Sequence, residues 1–230
     1  MRTKNGCRYF LASLLAMILT TACEKDGITV TPIKDFISLA NDDGYIENLS
    51  TRVVHSYYSG PQGLALNIGW NGAGQSMRGF LSFDVSEIMP PADKELVIDE
   101  AILKVYEANT NMHPFDGAGV RVVNCYLLTY GSLDKTDYDL TPFADCGAIT
   151  SWGYNVLKEY PLKVTSFLNS FHQANPSVTK FQFRLQFLPD GNVTPPSPLT
   201  SSMWSIFAGD ETQKAAYRPT LTIKYHYRDQ

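Results

Sequence analysis

The side chains that could carry acid–base or nucleophilic chemistry are scattered along this chain of 230 residues. The four histidines, His55, His113, His172 and His226, form no pair with metal-ligand spacing on one predicted element, and each is interpreted as a surface or edge residue. The aspartates between residues 134 and 145 could flank a glycosidic bond, but their spacing selects no pair. No serine-nucleophile, zinc-protease or phosphate-loop motif occurs in the sequence. The chain is therefore predicted not to be an enzyme.

Aromatic rings beside amide side chains offer a different chemistry, because a pyranose ring has apolar C–H faces and a polar rim. The candidates for such a glycan platform are Trp70, Tyr57, Tyr58, Trp152, Trp204, Asn67 and Asn71. Trp70 is placed in a predicted loop rich in glycine and asparagine, whereas Trp152 is favoured as a packing residue and Trp204 could face either way. Of the adjacent Tyr57 and Tyr58, one would point inwards and one outwards on a strand. Non-catalytic binding of a polysaccharide or oligosaccharide is the predicted function.

Two functions of other classes stay open. The chain could be a structural or adhesion component of a cell-surface assembly that contacts other surface proteins, or it could be a polysaccharide lyase or hydrolase.

A predicted turn at Asp42-Asp43-Gly44 could supply oxygen ligands to a structural calcium ion. No other cofactor is predicted.

The amino-terminal segment indicates export. Three cations, Arg2, Lys4 and Arg8, precede an apolar run over residues 9–19 that is the length of a signal-peptide core and too short for a membrane anchor. The run ends in Leu-Thr-Thr-Ala-Cys at residues 19–23, which resembles the lipobox of bacterial lipoproteins. We expect residues 1–22 to be a lipoprotein signal peptide, Cys23 to carry the lipid on the cell surface or in the periplasm, and residues 23–35 to form a tether. An ordinary cleaved signal with a chance cysteine is the alternative.

The net charge limits the expected binding partners, and the cysteines predict a disulfide. The net charge is -4, and removal of residues 1–22 takes away cations only, so nucleic acid is not an expected partner and the lipid is the only expected membrane contact. Besides Cys7 and Cys23, the chain has Cys125 and Cys146. Because exported proteins fold in an oxidising compartment, this pair is predicted to form a disulfide, with two free thiols as the alternative.

The remaining sequence alternates apolar and polar residues with a period of two over residues 79–85, 181–187 and 221–227. Residues 97–106 and 120–130 are more continuously apolar, as in central strands. Helical periodicity is confined to residues 164–171, before Asn175-Pro176. This pattern predicts an all-β protein with a single antiparallel β-sandwich over residues 36–228.

Residues 78–86, Arg-Gly-Phe-Leu-Ser-Phe-Asp-Val-Ser, resemble the R-x-x-L-x-F-D-[LVI]-S segment of DNRLRE-type (disaggregatase-related repeat) modules. Residues 98–106, 151–152, 162–165 and 207–225 resemble further segments of that family in the same order. The resemblance implies a jelly-roll-like, carbohydrate-binding-module-like domain of a secreted or surface protein. Four charges within these apolar segments are interpreted as structural ion pairs, with ligand binding as the alternative: Arg78, Asp84, Glu211 and Arg218.

Overall fold

A computed structural model describes residues 31–60, 63–70, 75–108, 122–149, 157–188 and 202–230, with Tyr58, Gly60 and Ser202 described in their backbone only. Every described strand and helix lies in one compact unit, Pro32–Gln230. This unit begins within the segment that the sequence assigns to the tether. The segment predicted to be a signal peptide and Cys23 lie outside the described residues.

The described residues are mostly in β-strands. In chain order the strands are β1 (Ile33–Ile37), β2 (Gly44–Glu47), β3 (Val53–His55), β4 (Tyr58–Gly60), β5 (Gly63–Trp70), β6 (Ser76–Asp84), β7 (Lys94–Tyr106), β8 (Val122–Leu128), β9 (Ala144–Ile149), β10 (Glu159–Lys163), β11 (Lys180–Leu188), β12 (Ser202–Phe207) and β13 (Thr220–Asp229). Short 3₁₀ turns occupy Ser86–Ile88, Lys135–Asp139 and Ala215–Tyr217. One α-helix, α1 (Thr165–Ala174), is present among the described residues.

The strands form two antiparallel sheets. The smaller sheet has the order β1-β13-β7-β10, and the larger one has the order β12-β5-β6-β11-β8-β9, with β2, β3 and β4 paired at its side. Strand β1 pairs with β13 from Ile33 opposite Lys224 to Ile37 opposite Thr220, so the two ends of the described unit are neighbours. The structure confirms the predicted all-β sandwich.

The core lies between the two sheets, where the alternation seen in the sequence puts apolar side chains on the inner faces. Phe83 of β6 is paired with Phe181 of β11, and its ring packs edge to face on Phe183 with 5.9 Å between ring centroids. Leu103 of β7 and Leu221 of β13 are paired in the other sheet and belong to the same buried cluster. Each large side chain buried in this way contributes about 1.5–3 kcal/mol to folding.

Helix α1 takes the place of a strand at the edge of the smaller sheet. Strand β10 pairs with β7 only as far as Lys163 opposite Ile102, and the chain then turns into the helix. The Asn169 side chain accepts a hydrogen bond from the Ile98 N–H at 3.0 Å and donates one to the Ile98 carbonyl at 2.7 Å. Thr165 Oγ1 accepts from the Ala101 N–H at 2.9 Å. The helix side chains thereby satisfy backbone groups that an exposed strand edge would leave open.

The two core cysteines face each other across β8 and β9 but are free thiols, so the structure does not contain the predicted disulfide. The pairing of these strands shifts register at Cys125, where two residues of β9, Cys146 and Gly147, oppose one of β8. Gly147 has φ of 92°, a conformation that favours glycine, and the resulting bulge sets the position of Cys146. Burial and the adjacent Cys146 thiol raise the pKa of Cys125, which favours its protonated form.

The charges within the family-like segments are mostly held by backbone groups. Glu211 is buried, and its carboxylate accepts N–H bonds from Leu64 at 2.6 Å, Gln213 at 2.6 Å and Lys214 at 2.9 Å. Burial opposes ionisation of Glu211, but these bonds outweigh it and lower its pKa. Gly63 is packed so closely that an added Cβ would lie 2.1 Å from Glu211 Oε2.

Arg78 is the member of this group that lies near an acid, with Nη1 at 3.9 Å from Asp139 Oδ1. It also donates to the Tyr138 carbonyl and lies 3.9 Å from the centre of the Tyr138 ring. Asp84 instead accepts from the Ser86 N–H at 2.9 Å, and Arg218 Nε donates to the Ala215 carbonyl at 3.1 Å. These charged side chains therefore act mainly through hydrogen bonds to backbone groups, and less through ion pairs.

Candidate binding pocket

The two described tryptophans proposed as glycan platforms lie in the core. Trp70 is 1% exposed and stacks on Phe187 with 5.8 Å between ring centroids, and Trp204 is 1% exposed and packs edge to face on Tyr160. Trp70 ends strand β5 on the same face as Ile68, so it continues the inward alternation of that strand. A sugar ring could not stack on either indole in this arrangement.

The other platform candidates are separated from one another. Asn67 is buried on β5, where its Oδ1 accepts a hydrogen bond from Ser205 Oγ at 2.8 Å. Tyr57 is exposed, just before β4. Asn71, Trp152 and the side chain of Tyr58 lie outside the described residues. The predicted platform is therefore not assembled by the described part of the chain.

The two aspartates proposed as calcium ligands are buried and have different partners. Asp42 Oδ2 accepts from Lys180 Nζ at 2.6 Å, whereas Asp43 Oδ1 accepts from the Ser82 N–H at 2.9 Å. Burial raises the pKa of Asp43 to about 8, which favours a neutral carboxyl group that is a poor ligand for a cation. Within the described ranges, no group of three or more His, Cys, Asp or Glu residues is placed to hold a metal ion. Calcium binding by this pair stays a prediction.

A pocket of about 230 Å³ lies where helix α1 meets the start of β7 and the end of β13. Its walls are formed by Pro90, Lys94, Glu95, His172, Gln173, Pro176 and Gln230. The two prolines supply apolar surface, and the other five side chains can all form hydrogen bonds. The pocket exists because α1 packs along β7 at the level where β10 has ended.

The charges at the pocket are balanced by neighbouring residues of β13. Lys94 Nζ pairs with Asp229, and this contact raises the pKa of Lys94 and lowers that of Asp229. Glu95 Oε2 accepts from Arg228 Nη2 at 2.6 Å and from Arg228 Nε at 3.2 Å. The amide of Gln230 donates to the Lys94 carbonyl at 3.0 Å. The pocket thus has polar walls with little net charge.

His172 is the most buried polar side chain of the pocket, with 5% of its surface exposed. Desolvation lowers its pKa, although the nearby Glu95 carboxylate opposes this, and the lowered pKa favours the neutral imidazole. Its Nδ1 atom has no hydrogen-bond partner among the described residues. Because Nδ1 is itself buried, the imidazole forms part of the pocket wall and does not present this nitrogen to a ligand.

The sequence did not single out this pocket, and His172 was interpreted as a surface or edge residue. The signal that could have shown its burial is its spacing from Leu168, because residues four apart share one face of a helix. The other two described histidines are paired elsewhere: His55 with Glu47 at 3.3 Å and His226 with Asp99 at 3.0 Å.

No helix of the described segments is both long enough and apolar enough to cross a bilayer. Comparison of the chain with protein-family models gives no match, and comparison with curated proteins gives none either.

Proposed function

We propose that this protein is an exported, lipid-anchored, DNRLRE-like β-sandwich that binds a glycan without transforming it. The basis for export and lipidation is the amino-terminal order of cations, apolar run, small residue and Cys23. The basis for glycan binding is the pocket between α1 and β7. These two parts of the proposal rest on different observations and are tested separately.

The observation that carries glycan binding is the composition of the pocket walls. Hydrogen-bond donors and acceptors, including Lys94, Glu95 and Gln173, stand beside the apolar surfaces of Pro90 and Pro176. A sugar ring needs this combination, because its hydroxyl groups both donate and accept while its C–H groups need apolar contact. Binding needs no nucleophile or general base, which agrees with the scattered reactive residues of the sequence.

Glycan binding is tested by applying the purified full-length chain to a glycan array and to affinity gels containing polysaccharides. We expect saturable binding to a subset of glycans and no release of products from the same polysaccharides. Absence of binding to every glycan would refute the proposed function. Release of shortened or unsaturated products would instead show a hydrolase or a lyase.

Lipidation is tested by expressing the chain in a bacterium fed with labelled palmitate. The wild-type protein should incorporate the label and fractionate with membranes, whereas Cys23→Ala should not. Wild-type protein without label would contradict the anchor and leave the glycan proposal untouched.

An adhesion or assembly role is favoured by one specific feature, the exposed apolar side chains of strand β1. Ile33 is 66% exposed and Ile37 is 36% exposed, and β1 lies at an edge of the smaller sheet. Such an edge can add a strand from another protein. Concentration-dependent self-association that Ile33→Lys abolishes, together with no glycan binding, would favour this role.

A further inference from the structure

We infer that the pocket between α1 and β7 holds a single neutral sugar residue at the end of a glycan chain. This inference rests on the proposed glycan binding and adds the class of sugar and the side chains that select it. Two properties of the pocket carry it: its size and its charge balance.

Size limits the ligand to about one ring. The cavity of about 230 Å³ is smaller than the pockets of about 300–1,000 Å³ that enclose drug-sized ligands. Its walls come from three directions, with Pro90 before β7, Pro176 after α1, and Gln230 after β13. A chain end can enter such a pocket, whereas an internal segment of a polysaccharide needs a groove that is open on both sides.

Charge balance favours a neutral sugar over an acidic one. Lys94 is the cation of the pocket wall, and it is already paired with Asp229. Arg228 is paired with Glu95, so it presents no free cation to a uronic acid either. A sugar carboxylate would have to compete with Asp229 for Lys94 and would lie near the Glu95 carboxylate, which disfavours its binding.

The first experiment uses competition by free monosaccharides against the glycan that the array identifies. The probes are D-galactose, D-mannose, N-acetyl-D-glucosamine and D-glucuronic acid. We expect one of the neutral sugars to compete and the glucuronic acid to do so at least about tenfold less well, equivalent to about 1.4 kcal/mol. Oligosaccharides with the competing sugar at the non-reducing end should bind, whereas those with it only inside the chain should not.

The second experiment changes the pocket. Gln173→Ala removes an exposed wall residue and should weaken binding about fivefold to tenfold, the size expected for one lost hydrogen bond. Gln213→Ala is the matched control, because Gln213 is also exposed and lies outside the pocket.

The third variant tests charge selection. Glu95→Gln removes one acid from the pocket and frees Arg228, so the discrimination against glucuronic acid should shrink relative to the wild type. Glu159→Gln on β10 is the control, because Glu159 lies outside the pocket. Strong competition by glucuronic acid in the wild type would overturn the inference. Glycan binding that no pocket variant weakens would overturn it while the proposed function stands, and absence of all glycan binding would refute both.

Discussion

Replacing Asn169 by Leu should uncover the edge of β7 and destabilise the whole sandwich. The Asn169 amide occupies both polar backbone groups of Ile98, at 3.0 Å and 2.7 Å, on the side of β7 that faces away from β13. Leucine has a similarly branched side chain but offers neither a donor nor an acceptor. Each backbone group left without a partner costs about 1–3 kcal/mol. Since Ile98 N–H and C=O are only partly shielded from water in this part of the structure, we expect a total of about 2–4 kcal/mol.

Urea unfolding followed by the fluorescence of the buried Trp70 and Trp204 measures this loss. With a slope of about 3 kcal/mol per molar urea for a chain of this size, the midpoint should fall by about 1 M. Ser170→Leu is the matched control, because Ser170 is the next residue of α1 and is exposed. It should shift the midpoint by much less. Hydrogen exchange should also quicken at the Ile98 amide in the Asn169 variant.

An unchanged midpoint for Asn169→Leu would refute this reasoning, because water would then replace the amide at no cost. The same conclusion would follow if Ser170→Leu were equally destabilising, since the loss would then come from helix propensity. Asn169→Asp separates the two hydrogen bonds. It keeps an acceptor for the Ile98 N–H and loses the donor to the Ile98 carbonyl, so its midpoint should lie between those of the wild type and the leucine variant.

Three further changes test other parts of the fold. Asp43 binds a proton in the folded state up to its pKa of about 8, whereas the unfolded carboxyl loses it near 4, so stability should fall as pH rises between these values by up to about 1.4 kcal/mol per unit. Urea titrations at pH 5 and pH 8 should show this slope in the wild type and not in Asp43→Asn. Glu211→Gln weakens the acceptor of three N–H bonds, so in thermal melts it should lower the free energy of unfolding by about 2–4 kcal/mol. The control Asp210→Asn should lower it far less in the same measurement. Arg78→Met removes the contacts with Tyr138, so the melting temperature should fall while glycan affinity stays unchanged; a selective loss of affinity would point to a binding role.

The sequence was sufficient for the sheets because their chemistry is local. A strand that is buried on one face must alternate, and the alternation over residues 181–187 corresponds to β11, whose inward phenylalanines the structure places in the core. The same logic could have placed Trp70, since Leu66, Ile68 and Trp70 alternate towards the core. The glycines around Trp70 suggested a loop, and that local signal was weaker than the burial of a large aromatic ring at the end of β5.

The pocket could not be predicted because its walls are distant in sequence. Lys94 and His172 are brought together only when β10 ends early and α1 packs along β7. The hydrophobic periodicity of the sequence does not indicate where a strand stops pairing with its neighbour. The disulfide expectation had a similar weakness, since cysteine number and compartment indicate a pair but do not decide whether the two thiols are joined.

Helix α1 covers the edge of β7 and also forms a wall of the candidate pocket. Both features follow from one change in the chain, the replacement of a strand by a helix beside β7. A continued β10 would hydrogen-bond to Ile98 directly and would leave no space beside Glu95. The helix instead meets the backbone through Asn169, and three residues later the same face of α1 carries His172 to the pocket wall. Because the two positions share one helix face, the anchoring of α1 also fixes the orientation of the imidazole. Stability and binding should therefore be coupled at this edge and independent at Arg78, which lies on the other sheet.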